Sequence, residues 1–209
     1  LDVIIIPKVK TGFDVNWVAL LLDQIETKLG MEKTIGLEVL IEEVEAMANV
    51  EEMAASSSRL EALIFGVGDD SAAQGINATA LGSGYEYPED VWHYGRNKIT
   101  IAARINGIDA IDGPFPNFKD TDGYINECKR GQFLGAVGKW AIHPSQVELA
   151  QQTFTPDAEI VAKARKMQQA YLDAVAKGHG AAQVDGVLVD AATLRVYQNT
   201  LNMADRIGM

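Results

Sequence analysis

The chain is nearly without cysteine: Cys128 is the single one in 209 residues. No internal disulfide framework can form, which fits a reducing compartment and points to the cytoplasm. Cys128 lies in the polar run NECKRG and is expected on a helix surface, not as a nucleophile. No apolar run approaches the ~20 residues that span a bilayer. The apolar opening Leu1–Ile6 is short and has no basic residue before it, so no signal peptide is expected. Basic residues are in the minority: 18 Lys and Arg face 29 Asp and Glu, a net charge of −11. That balance argues against nucleic acid or an anionic membrane as partner, since both need a basic surface. A local basic group or a metal can still admit a small anion. His93, His143 and His179 are too far apart for zinc-ligand spacing. GVGDDSAAQG is glycine-rich but lacks the G-x-G-x-x-G fingerprint, and neither a G-x-S-x-G elbow nor a Ser/His/Asp triad is legible.

What is present is ordinary for one sizeable globular core, with 47% apolar and 22% charged residues. Five strand-like runs alternate with helical ones: Asp2–Ile6, Thr34–Leu40, Arg59–Phe65, Gly107–Asp112 and Val137–Ile142. The helices between and after them are expected from Asp14 to Leu29, Glu43 to Ala55, Pro88 to Asn106, Asp120 to Phe133, Pro144 to Phe154, Pro156 to Ala176 and Ala191 to Ile207. Asp14 caps the first, and Val18, Leu21, Leu22, Ile25 and Leu29 form its apolar stripe. Asn49 is placed to restart the second. Gly66–Glu89 reads as one long loop, and Lys177–Ala182 as a hinge before the short apolar piece Val184–Val189.

Strands alternating with helices imply a parallel sheet with right-handed crossovers. Two closures fit: a five-stranded doubly wound sheet, or the last five units of a TIM (β/α)8 barrel lacking its first three. The chain opens on a strand with Leu1, not Met, which favours the barrel and a lost natural N-terminus. Residues 1–154 form the expected barrel portion and 155–209 a C-terminal helix, hinge and flap.

In a parallel sheet the strand ends share one edge, where such folds keep their chemistry. Here they carry Pro7-Lys8, Glu42, Asp69-Asp70, Asp112 and His143. Any single acid is most simply a helix cap or a solvated charge. Glu42 and Asp69, at the ends of consecutive strands, together suit Mg²⁺ or Mn²⁺, hard cations that take oxygen ligands. Such an ion polarises a bound carbonyl and carboxylate. Gly68, Asp70, Asp112, His143, Pro144 and Trp92 are the expected substrate-binding residues of this rim. For Trp92 a packing role is equally consistent. Asp190 precedes the last helix and is either its cap or a catalytic group on a closing flap.

Three groups of residues resemble a known superfamily. Pro7-Lys8-Val9, Ile41-Glu42 with Asn49 and Glu52-Met53-Ala54 behind it, and Phe65-Gly66 followed by Asp69 are similar to the citrate lyase β-subunit / HpcH–HpaI aldolases. Tyr87-Pro88, Trp92-His93-Tyr94, Asp112-Gly113-Pro114-Phe115, Gly138-Lys139-Trp140-Ala141-Ile142-His143-Pro144 and Asp185-Gly186 with Val189-Asp190 resemble its malyl-CoA / β-methylmalyl-CoA lyase branch. The resemblance covers essentially the whole chain. It implies a barrel with a flap, assembled as a homotrimer or homohexamer with flaps exchanged between subunits. It implies Mg²⁺-dependent, reversible cleavage of malyl-CoA to acetyl-CoA and glyoxylate, or of β-methylmalyl-CoA to propionyl-CoA and glyoxylate. Glu42 and Asp69 match its metal ligands, and Asp190 its flap acid/base at the acetyl methyl carbon. The superfamily's oxyanion-stabilising arginine has no counterpart in Arg59, Arg96 or Arg104. A citryl-CoA lyase, a malyl-CoA thioesterase, and a catalytically incomplete acyl-CoA-binding or scaffold fragment are the alternatives.

Overall fold

The computed structural model describes residues 1–77 and 90–209. They fall into two compact units, residues 1–151 and residues 152–209.

The first unit is built on five parallel strands: β1 (Val3–Ile6), β2 (Gly36–Ile41), β3 (Leu60–Phe65), β4 (Asp109–Asp112) and β5 (Gly138–Lys139). They pair in strict sequence order, with Ile6 opposite Val39, Val39 opposite Leu63, Ile64 opposite Ile111, and Asp112 opposite Lys139. A doubly wound sheet reverses its strand order at a switch point. This sheet does not, which removes the doubly wound alternative. It is an open sheet with the one-directional winding of a (β/α) barrel. Right-handed crossovers then carry each helix to the same face. Leu37, Val39, Ile41, Leu63 and Phe65 share one core there with Val15, Leu22, Met47, Met53 and Ile99 of the helices.

The helices are α1 (Gly12–Leu29), α2 (Val44–Ala48), α3 (Val50–Ala54), α4 (Val67–Ala73), α5 (His93–Ile105), α6 (Thr121–Phe133) and α7 (Pro144–Phe154). Several expectations need correction. Asp14 is not the cap of α1. Thr11 is, and Asp14 completes the capping box from the first turn by accepting from the Thr11 and Lys10 N–H groups at 2.9 and 2.8 Å. The buried stripe of α1 is Val15, Ala19, Leu22 and Glu26, while Leu21 and Leu29 face solvent. This helix has two apolar stripes, and the one carrying Val15, Ala19 and Leu22 joins the core shared with the strands. The helix after β2 breaks in two at Asn49, whose side chain donates to the Lys10 carbonyl at 3.0 Å. The expected long loop begins instead with α4, and its remaining part from residue 78 to 89 lies outside the described residues. Strand β5 is two residues long, extended by single bonds from Val137 N–H to Ala110 O and from Trp140 N–H to Asp112 O. Cys128 is fully buried with Tyr124 and Gly131 on one side of α6, not on the surface.

The second unit holds α8 (Ala158–Ala176), a two-stranded hairpin of β6 (Ala182–Val184) and β7 (Val187–Val189), and α9 (Ala191–Arg206). Val161 and Ala164 pack on Leu201 and Ala204, and Met167 packs on Val184 and Val189. The hairpin turn is Asp185-Gly186 with φ of +49° and +79°. Both values belong to the turn that matches strand twist, where Asp-Gly is favoured. The expected hinge closes α8 at Gly178, φ +80°, and leads into β6.

Candidate metal and substrate site

Parallel strands put the residues after β1, β2 and β3 along one edge of the first unit. Lys8 follows β1, Glu42 and Glu43 follow β2, and Asp69 lies in the first turn of α4 after β3. The Lys8 ammonium gathers these acids. Its Nζ is 2.6 Å from Asp69 Oδ1, 3.2 Å from Glu43 Oε1 and 3.7 Å from Glu42 Oε1. The Lys8 backbone N–H also donates to Glu42 Oε1 at 3.0 Å. The Asp69 hydrogen bond is the main influence that pushes the Lys8 ammonium up to about 12. Glu42 is buried, whereas the Asp69 side chain is largely exposed. Gly66 makes room for Glu42, because a Cβ built there would overlap the Glu42 Cβ and lie 3.1 Å from its Oε2.

One ammonium against three carboxylates leaves this cluster two negative charges in excess. Its donors are hard oxygens brought within reach of a single cationic atom. Those properties fit a divalent Mg²⁺ or Mn²⁺ held by Glu42 and Asp69, with waters and substrate oxygens supplying the other positions. Among the described residues no group of three or more His, Cys, Asp or Glu is arranged to hold a metal on its own.

The expected substrate-binding residues divide. A Cβ added to Gly68 would meet open space. Asp70 is fully buried, accepts from Gln74 at 2.5 Å through Oδ2, and has its Oδ1 unpartnered. Burial pushes its carboxyl above the usual range, against the Gln74 bond. Trp92 is a packing residue in this structure: its indole N–H donates to Ser71 Oγ at 2.8 Å, and the Arg96 guanidinium lies 5.8 Å from its ring centroid. His143 stacks on Phe118, with centroids 4.5 Å apart, and its Nδ1 receives the Ser145 N–H at 3.2 Å. Pro144 opens α7, where its missing N–H costs nothing.

Asp112 is an internal counterion. Arg96 Nε donates to its Oδ1 at 2.8 Å and Lys139 Nζ to its Oδ2 at 2.7 Å. Both cations also reach Glu127, at 3.1 and 3.0 Å, and Arg96 pairs with Asp90. Its carboxylate oxygens are thus occupied from within the fold. The sequence reading missed this network and the focal position of Lys8. A signal was available in VGKWAI, where a lysine inside an apolar strand requires a buried partner. Arg59, at the opposite end of β3, is taken up by Asp23 and Glu26.

Asp190, in the second unit, caps α9 through a 2.8 Å bond from Thr193 N–H. That bond holds its carboxyl below the usual range, so it is ionised at neutral pH.

Residues 1–144 match the family described as HpcH/HpaI aldolase/citrate lyase. Over its whole length the chain is 40% identical to an L-malyl-CoA/beta-methylmalyl-CoA lyase of Cereibacter sphaeroides, spanning 69% of that protein. A (3S)-malyl-CoA thioesterase of the same species is 32% identical over 99% of the chain and 66% of its own length. Among solved structures, a citrate lyase from Burkholderia xenovorans LB400 superimposes with a TM-score of 0.83 at 24% identity, covering 98% of this chain and 63% of that one. The protein CitE from Mycobacterium tuberculosis, in complex with magnesium, acetoacetate and coenzyme A, gives 0.70 at 22% identity over 97% of this chain and 68% of that one. The chain thus spans about two thirds of the length of these proteins.

Proposed function

The chain belongs to the HpcH/HpaI aldolase/citrate lyase family, and on that premise we propose that it acts as a divalent-metal-dependent carbon–carbon lyase. Its substrate is malyl-CoA or β-methylmalyl-CoA, cleaved reversibly to acetyl-CoA or propionyl-CoA and glyoxylate. The observation that carries this reading is the convergence of Glu42 and Asp69 from consecutive strand ends on one cationic atom. Full-chain identity of 40% to a lyase of that name supports the substrate.

Glu42 and Asp69 would hold Mg²⁺ or Mn²⁺, and the bound ion would supply Lewis-acid stabilisation of the negative charge that develops on the substrate. Magnesium is present in the structure of a neighbour with this fold. The bond between the hydroxyl-bearing carbon and the carbon α to the thioester breaks. The hydroxyl proton leaves to solvent as the oxygen becomes the glyoxylate carbonyl, and the electron pair of the broken bond passes to the thioester enolate. Asp190 exchanges the proton at that enolate carbon: its carboxylate takes the proton from the acetyl-CoA methyl group in condensation, and in cleavage the carboxyl, after taking up a proton from solvent, delivers it to the enolate carbon. Gly66 and the Lys8 N–H keep the Glu42 carboxylate in place.

Hydrolysis of malyl-CoA to malate and CoA is the second reading, favoured by the 32% identity to a thioesterase. Product chromatography of the full chain with malyl-CoA and MgCl₂ decides between them. Acetyl-CoA plus glyoxylate, lost in Asp69→Ala, supports the lyase. Malate plus CoA replaces it with the thioesterase, and no turnover with retained CoA binding supports an incomplete acyl-CoA-binding or scaffold fragment. We also place the protein in the cytoplasm as a homotrimer or homohexamer with flaps shared between subunits. Among the described residues no helix is long and apolar enough to cross a membrane.

A further inference from the structure

We propose that Lys8 is an internal competitor for the cation site: its ammonium holds the Glu42–Asp69 pair together and must leave when a divalent metal binds. The inference rests on the assignment of Glu42 and Asp69 as the metal pair. Three observations carry it. First, Lys8 Nζ is within 2.6 to 3.7 Å of one oxygen each of Asp69, Glu43 and Glu42, so it uses the same oxygens a cation would use. Second, Lys8 has φ +57°, one of two non-glycine residues with positive φ among those described. The other, Asp185, sits in a hairpin turn that requires it, while Lys8 bears the cost at a strand end. A non-glycine residue kept there is strained, and such strain concentrates at functional positions. Third, the Lys8 side chain is 51% exposed, so the ammonium can be released to water without burying a charge.

Lys8 therefore acts twice, with opposite signs. Its backbone N–H orients Glu42 Oε1 and favours metal binding. Its side chain neutralises the acids and opposes metal binding, since an ammonium 2.6 Å from Asp69 Oδ1 repels a second cation brought to the same carboxylates. Replacing the side chain separates the two effects, because every substitution except proline keeps the N–H. Lys8 is a positioning residue in this scheme, not a catalytic one.

The test is direct cation binding by the full chain, measured at low ionic strength by calorimetry with MgCl₂ and by electron paramagnetic resonance with MnCl₂. Lys8→Gln is expected to bind either ion about threefold to tenfold more tightly than the parent, with the gain shrinking as salt screens the ammonium. Lys8→Gly, which also relieves the positive φ, is expected to tighten binding in the same direction and guards against misfolding of the first variant. Unchanged or weaker binding in both overturns the inference. Asp69→Asn and Glu42→Gln are measured alongside. If they weaken binding more than tenfold while the Lys8 variants do not tighten it, the metal assignment stands and the competitor role falls. If they leave affinity unchanged, the assignment itself falls and the inference with it.

Discussion

Glu42 sits against Gly66, with no space for a methyl group between them. The close approach lets a buried carboxylate emerge at the rim although β2 and β3 are hydrogen-bonded neighbours. Gly66→Ala must push Glu42 aside. Overpacking of this kind costs about 1–3 kcal/mol, so the urea midpoint is expected to fall. Mg²⁺ affinity by calorimetry should weaken roughly tenfold more than in a surface control such as Gly68→Ala, where a Cβ meets open space. Equal affinities in the two variants would refute the placement of Glu42.

Lys139 is entirely enclosed, with its ammonium bonded to Asp112 and Glu127. Removing one partner of a buried ion pair leaves uncompensated charge and costs about 3–5 kcal/mol. Lys139→Met should lose that much in chemical denaturation. Asp112→Asn in the Lys139→Met background should recover part of it, and additive losses would argue against a shared network.

The Cys128 thiol is pushed up to about 11 from 9.0, chiefly by burial. It is protonated at neutral pH and closed to solvent, so an aromatic disulfide reagent at pH 8 should label it only after unfolding. The native state keeps its proton longer than the unfolded one. This group's contribution to stability is therefore complete below pH 9 and declines as pH rises toward 11. Rapid labelling of the native chain would contradict its burial.

Asp14 accepts N–H bonds from Lys10 and Thr11, and the first of these is the chief reason its carboxyl lies below the usual range. Asp14→Ala removes half of the capping box and should cost about 1 kcal/mol at pH 7. With a lowered native pKa, the parent's advantage is present above the ordinary aspartate value of about 4 and disappears as pH falls below it. Urea titrations of both proteins at pH 7 and pH 3 compare the two regimes, and a pH-independent difference would mean the carboxylate charge is irrelevant to the cap.

The parts legible in the sequence are those set by local pattern. The apolar runs in β1, β2 and β3 mark the strands, but the all-apolar run of β1 reads as buried on both faces, whereas Ile5 is exposed and the rest of β1 is only partly buried. Asn49, Asp120 and Asp190 mark helix starts that the structure shows, whereas the helix expected from Pro156 starts at Ala158 behind an Asp157 cap. The same strand ends brought Glu42 and Asp69 to notice. What stayed hidden depends on side chains far apart in the chain. Lys8 meets residues 34 and 61 positions away, and Arg96 meets Asp112 and Glu127 from another helix. Pattern alone does not register such pairs. Cys128 was misjudged because charged neighbours in NECKRG obscured the Tyr124, Cys128, Gly131 spacing of the buried stripe. For α1, two apolar stripes compete, and only tertiary packing into the common core decides between them.

Neighbour-only pairing of the strands also governs how the first unit can assemble in time. Each strand needs only the unit before it, so no pairing waits for a distant part of the chain. The β2–β3 pair joins Leu37 to Leu60, whereas β3–β4 joins Ala62 to Asp109, a span about twice as long. Doubling a loop adds about 0.6 kcal/mol of closure entropy. The β2–β3 pair, fully apolar at its centre, is thus the cheapest place to begin. The edge that carries Glu42 and Asp69 would then be among the first features of the sheet to form.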